Sequence, residues 1–208
     1  MKTSATAVIP SKWLTLPNIL TAFRLILVPF FLRQMLLGRK REALLIFLLA
    51  GLTDLLDGFV ARTWNLRSPV GRILDPAADK LLLVTAFIAA SFPQLSWPFH
   101  VPVWLVATVI GRDTLIAGGA VVLYFWKGTK TFSPSLWGKI CTFFQVLTIL
   151  FILAANALTA EGLGSAAFRG FPWWQFHSLF FALTFVATVI SGLQYTIFGL
   201  KKALFSSS

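Results

Sequence analysis

GLTDLLDGFVARTWNLRSPVGRILDPAADKLLL, residues 51–83, decides how this chain must be read. The stretch holds Asp54, Asp57, Asp75 and Asp79, four of only seven acidic residues among 208. Asp54 and Asp57 are three apart and Asp75 and Asp79 four apart, so on helices each pair shares one face. The segment between reverses the chain, with Ser68 suited to cap a new helix and Pro69 to its first turn. Pro76 then either kinks that helix or restarts it with Asp75 as cap. Both versions aim the two pairs of carboxylates into one space.

The surroundings of this hairpin are apolar. The chain is 57% hydrophobic and 12% charged, with mean hydropathy +0.81. A soluble domain carries roughly 25% charged residues, so the composition is that of an integral membrane protein. Runs approaching or exceeding the roughly 20 residues that span a bilayer as helix stand at about 17–38, 43–62, 77–95, 101–126, 136–158 and 173–199. No alternating strands suggest a barrel. The expectation is an all-α membrane protein of six transmembrane helices, with a polar cavity facing the cytoplasm. Residues 1–208 form one domain, with 1–16 a cytoplasmic segment and 200–208 a tail. The first span reads as a retained helix, with no cleavage site after it. The single cysteine, Cys141, excludes a disulfide framework or a thiolate zinc site and reads as a small core residue.

Placing both termini in the cytoplasm leaves eleven Lys and Arg inside against five outside, as the positive-inside bias requires. The local exception is the Arg39–Arg41 turn. Trp13, Trp64, Trp126 and Trp137 fall near the inner ends of spans, and Trp97, Trp104, Trp173 and Trp174 near the outer ends, as interfacial belts do. A net charge of +11 suits anionic lipid. Nucleic acid is not expected as a partner, because no soluble basic domain is present.

Four unpaired carboxylates in an apolar hairpin would raise one another's pKa. Divalent cations remove that conflict. An all-carboxylate donor set selects hard ions, Mg²⁺ or Mn²⁺, and four aspartates suit two of them, whose usual chemistry is displacement at phosphorus. The bland alternative pairs the aspartates with Arg62, Arg67 or Arg72 and makes Asp75 a simple cap. Gly58 and Ala61 lie one turn beyond the first pair and Gly71 one turn before the second. Small residues there admit either a flat ligand or tight helix contact.

Asp54-x₂-Asp57-Gly58-x₂-Ala61-Arg62, eight residues, then Gly71-x₃-Asp75-x₃-Asp79 resembles the complete signature of the CDP-alcohol phosphatidyltransferases, with eight specified residues over twenty-six positions. The resemblance extends over nearly the whole chain. It implies an enzyme of phospholipid biosynthesis that transfers the phosphatidyl group of CDP-diacylglycerol to an alcohol and releases CMP; direct transfer is favoured over a covalent intermediate, and the residues leave both open. By the same resemblance Asp54, Asp57 and Asp75 hold metal, and Asp79 ligates or acts as base for the acceptor hydroxyl. Gly58, Ala61 and Gly71 make room for the nucleotide, and Arg62 helps bind the donor. A homodimer is implied as well. His100 and His177 map away from the cluster, so histidine catalysis is discounted.

Residues 17–29, 74–83 and 134–145 are similar to phosphatidylglycerophosphate synthases and the related cardiolipin synthases. Glycerol 3-phosphate is the expected acceptor. Phosphatidylglycerol is the alternative, because Arg112-Asp113 is more like the cardiolipin synthases. Lys139, at the inner end of a helix, can reach an acceptor phosphate or simply snorkel. Arg112 lies within a span, where a charge is usually functional or paired; Asp113 is its candidate partner. Asn18, Thr21 and Arg24 recur at i, i+3 and i+6 near the inner end of the first span, where Arg24 can contact the donor. Packing and capping account for Asn18 and Thr21 equally well. Two rivals from other classes are a membrane prenyltransferase, which also holds metal-diphosphate on aspartates, and a cation transporter with an acidic ion path.

Overall fold

The computed structural model describes residues 16–63, 71–96, 98–127, 135–160 and 173–205. Within these helices the side chains of 16–18, 57–63, 71–73, 75–76, 120–127, 160, 173–174 and 200–205 lie outside the described set, as do Trp13, Trp64, Ser68, Pro69 and Trp97 altogether. Six helices make up the regular structure of the described residues: α1 (Leu16–Leu36), α2 (Lys40–Thr63), α3 (Gly71–Ser91), α4 (Val103–Lys127), α5 (Leu136–Ala160) and α6 (Trp173–Phe205). They coincide with the six apolar runs to within a few residues. Ile19–Leu36 of α1, Leu136–Thr159 of α5 and Gln175–Gly199 of α6 are long and apolar enough to cross a membrane. The other three carry most of the ionisable residues.

The α1–α2 turn is set by Gly38, whose φ of 68° places it in the left-handed region that glycine enters without steric cost. Arg39 N–H donates to Gln34 O and Gly38 N–H to Met35 O, both at 3.0 Å. These two bonds form a Schellman motif that uses up the last carbonyls of α1. In α3 the helix runs unbroken from Gly71 through Pro76 to Ser91. Asp75 is therefore a helical residue rather than a cap, and the restart at Pro76 does not occur.

Helix α1 packs on α2 and α3, α2 also on α5, α3 on α4 and α5, and α6 on α4 and α5. Thr21, Arg24, Leu27, Phe31 and Met35 are buried along one face of α1. The Phe31 ring meets Phe47 of α2 with centroids 6.1 Å apart. Ala43 and Ala50 on α2 and Ala78, Ala86 and Ala90 on α3 are fully buried, and side chains this small let backbones approach closely. Leu82, Phe87, Leu105, Ile149 and Ile152 complete the core.

The outer surface inverts the usual soluble pattern. Ile26, Leu45, Leu55, Val103, Leu136, Phe143 and Leu193 are all exposed, while Arg24, Gln145, Thr148, Asn156, Thr184, Thr188 and Ser191 are buried. Lipid is the solvent that makes this arrangement favourable, since apolar side chains lose nothing there and polar ones must pair inside. Between α5 and α6 Thr148 Oγ1 and Thr184 Oγ1 lie 2.7 Å apart and Cys141 Sγ lies 3.4 Å from Thr188 Oγ1, while within α5 Gln145 Nε2 donates to Cys141 Sγ at 3.3 Å. Cys141 is a free, buried thiol, as expected. Trp104 and Trp137 stand exposed at the first turns of α4 and α5.

Candidate functional site

Two of the four aspartates have described side chains, and they come from different helices to the same atom. Asp54 Oδ1 of α2 lies 3.0 Å from Arg24 Nη1, and that nitrogen also donates to Asp79 Oδ1 of α3. One member of each sequence pair, Asp54 of α2 and Asp79 of α3, therefore comes to the same place, with α1 supplying the cation between them. Arg24 is 1% exposed, whereas the side chains of Asp54 and Asp79 are 44% exposed. The guanidinium is the floor of the site and the carboxylates open above it.

Asp57 follows Asp54 by three residues on α2, and Asp75 precedes Asp79 by four on α3. The helical backbone puts each on its partner's face, one turn away. Gly58, Ala61, Arg62 and Gly71 also fall on these helices. The side chains of all these residues, and of Asn18, lie outside the described set. Among the described residues no three metal-ligating side chains converge. Thr21 is fully buried on the Arg24 face of α1.

Two cavities open from Asp54. A small one of about 130 Å³ lies against Arg24, Asp79, Lys80 and Thr142. A larger one of about 1070 Å³ runs between α2 and α5 to Arg112, Lys139 and Tyr195. Its flank is apolar, with Leu48, Leu52, Leu55 and Phe143. The structure thus joins Asp54 with both basic residues expected to face an acceptor. Such a space, negative at one end, positive at the other and greasy along its flank, suits an amphipathic molecule carrying phosphate.

Arg112 has the carboxylate partner expected of it. Its Nη1 donates to Asp113 Oδ1 at 2.7 Å, and its Nη2 donates to Ser191 Oγ of α6. Its Nε, though buried, has no hydrogen-bond partner among the described residues. Asp113 Oδ2 also accepts from Lys80 Nζ at 2.5 Å, which ties α4 to the residue next to Asp79. Lys139 is exposed at the first turn of α5, close to where Ser135 N–H donates to Tyr195 Oη at 3.0 Å.

Lys80, Ser191 and Tyr195 were not singled out from sequence. The available signal was the i, i+4 spacing of Ser191 and Tyr195 in an otherwise apolar helix, which puts two polar groups on one face. His177 sits far away, its ring between Phe99 and Phe181 with centroids 6.1 and 5.4 Å off.

Comparison with known proteins bears on this geometry directly. The family model described as CDP-alcohol phosphatidyltransferase matches residues 14–190. Similar proteins include those named CDP-diacylglycerol–glycerol-3-phosphate 3-phosphatidyltransferase in Shigella flexneri serotype 5b (strain 8401) and in Escherichia coli (strain K12). Each is 34% identical over 160 residues, covering 74% of this chain and 84% of the relative. With the aspartate signature, the converging α2 and α3 carboxylates and these matches in agreement, the chain belongs to the CDP-alcohol phosphatidyltransferase family.

Proposed function

We propose that the chain transfers the phosphatidyl group of CDP-diacylglycerol to glycerol 3-phosphate, releasing CMP. The observation that carries this reading is the convergence of Asp54 and Asp79 on Arg24, at a cavity whose other end holds Arg112 and Lys139. The names of the relatives support the choice of acceptor.

The donor set fits divalent metal. It is made of carboxylates alone, and two of them already gather around one cation, the Arg24 guanidinium. Asp54, Asp57, Asp75 and Asp79 would hold two ions, Mg²⁺ or Mn²⁺. Bound there, the metal neutralises the diphosphate and makes CMP a better leaving group. Arg24 holds the two described carboxylates side by side, with Thr21 packed a turn below and Asn18 at the start of the same helix. Gly58, Ala61 and Gly71 leave space for the cytidine nucleotide, and Arg62 reaches the donor. Arg112 and Lys139, both on the wall of the large cavity, take the acceptor phosphate. Asp79 accepts the acceptor hydroxyl's proton as that oxygen attacks the phosphatidyl phosphorus. The bond from this phosphorus to the CMP oxygen breaks, and the displacement is direct.

Six membrane spans, both termini in the cytoplasm, a cavity open to that side and a homodimer complete the reading. The test is lipid mass spectrometry on the purified chain given CDP-diacylglycerol with Mg²⁺ and one acceptor at a time. Glycerol 3-phosphate should yield phosphatidylglycerophosphate and CMP. Cardiolipin formed only with phosphatidylglycerol would replace the acceptor assignment. Turnover of a prenyl diphosphate, or cation flux without CMP release, would overturn the reading as a whole.

A further inference from the structure

Arg112 is held chiefly from the last helix. Ser191 Oγ accepts from its Nη2, and the Tyr195 ring lies 5.8 Å from its Cζ, within cation–π range. Tyr195 in turn anchors the start of α5, where its Oη accepts from Ser135 N–H at 3.0 Å and Ser135 Oγ accepts from Gly138 N–H at 3.0 Å. A Cβ on Gly138 would stand 3.4 Å from Arg112 Nη2, 3.4 Å from Tyr195 Oη and 3.3 Å from Ser135 Oγ. Helices α4, α5 and α6 thus close on the guanidinium with no room to spare.

Simple interhelical adhesion would join neutral groups, as Thr148 and Thr184 do. Here the bonds go to a charged group on the wall of the large cavity. Ser191 is fully buried, so its hydroxyl has no solvent role. Both residues lie beyond residue 190, where the family model's match ends.

We infer that Ser191 and Tyr195 are positioning residues that fix Arg112 for the phosphate of the acceptor, so that α6 sets acceptor affinity. This inference rests on the acceptor-site reading of Arg112 given above. A guanidinium left to several rotamers loses part of its hydrogen-bonding fork to disorder, and the loss should appear in acceptor binding rather than in the chemical step.

The experiment is initial-rate CMP release by the full chain in detergent micelles of CDP-diacylglycerol, titrated with glycerol 3-phosphate. Arg112→Ala should raise the acceptor KM by about 100-fold, and Ser191→Ala and Tyr195→Leu by about 10-fold each. The donor KM should change by less than about twofold in all three. Tyr195→Phe keeps the ring over the guanidinium and should recover most of the acceptor affinity lost in Tyr195→Leu. An unchanged acceptor KM in Ser191→Ala and Tyr195→Leu, with Arg112→Ala still impaired, overturns the positioning role and leaves the acceptor site standing. An unchanged acceptor KM in Arg112→Ala overturns both. Equal rises in the two KM values, or loss of kcat alone, mark the α6 residues as structural and also sink the inference. If Tyr195→Leu does not fold, Ser191→Ala decides the matter alone.

Discussion

At the C-terminal end of α5, Asn156 directs its whole amide at one short segment. Its Nδ2 donates to Phe99 O at 2.6 Å and to Ser96 Oγ at 2.9 Å, and its Oδ1 accepts from Phe99 N–H at 3.2 Å. Ser96 Oγ donates to Phe99 O at 2.8 Å, and the side chain of Asn156 is buried. At the N-terminal end of the same helix, roughly 25 Å away at 1.5 Å per residue, Lys139 stands exposed on a large cavity. Beyond it lie half-exposed carboxylates and a guanidinium on the cavity wall. One end uses polar groups to fix the α3–α4 connection, and all of them are satisfied. The other end leaves charged groups open to a cavity. Buried polarity in lipid is favourable only when paired, and on the proposed reading a substrate completes the set at that open end.

This contrast can be broken by substitution, and the largest effect is expected at the open end. Asp79→Asn keeps the shape of the side chain but removes the proposed base and metal-type ligand. Turnover of CDP-diacylglycerol should fall about a thousandfold, with the thermal midpoint in detergent close to that of the parent. Near-normal turnover at saturating Mg²⁺ would remove Asp79 from the chemistry.

The clamped end should respond in stability and not in kinetics. Asn156→Ala removes the side-chain acceptor of the Phe99 N–H and the donors that Asn156 gives to Phe99 O and Ser96 Oγ, which costs about 2 kcal/mol, read as a lower thermal midpoint with both KM values unchanged. A kinetic defect in a protein of unaltered stability would erase the distinction between the two ends. The smallest effect falls to Lys139→Ala. On the proposed reading its exposed ammonium adds to acceptor capture, so the glycerol 3-phosphate KM should rise about 10-fold while the CDP-diacylglycerol KM holds. An unaltered acceptor KM would make Lys139 a snorkelling side chain.

Much of the site was legible before any coordinates. The i, i+3 and i, i+4 spacings place the aspartate pairs on helix faces because a helix repeats every 3.6 residues wherever it forms. The six apolar runs became six helices, three of them long and apolar enough to cross a membrane. Pro76 misled locally: proline disfavours a helix interior, yet α3 carries it near its first turns, where few backbone bonds are at stake.

Sequence alone thus determined the membrane class and the helix count, since both depend on neighbours along the chain. Only the tertiary structure decided that Arg24 lies beneath Asp54 and Asp79, that Asp113 couples Lys80 to Arg112, and that α6 grips Arg112 through Ser191 and Tyr195. Those meetings join residues dozens of positions apart. They depend on the crossing angle and register with which helices pack, quantities set by the whole bundle and written in no single segment.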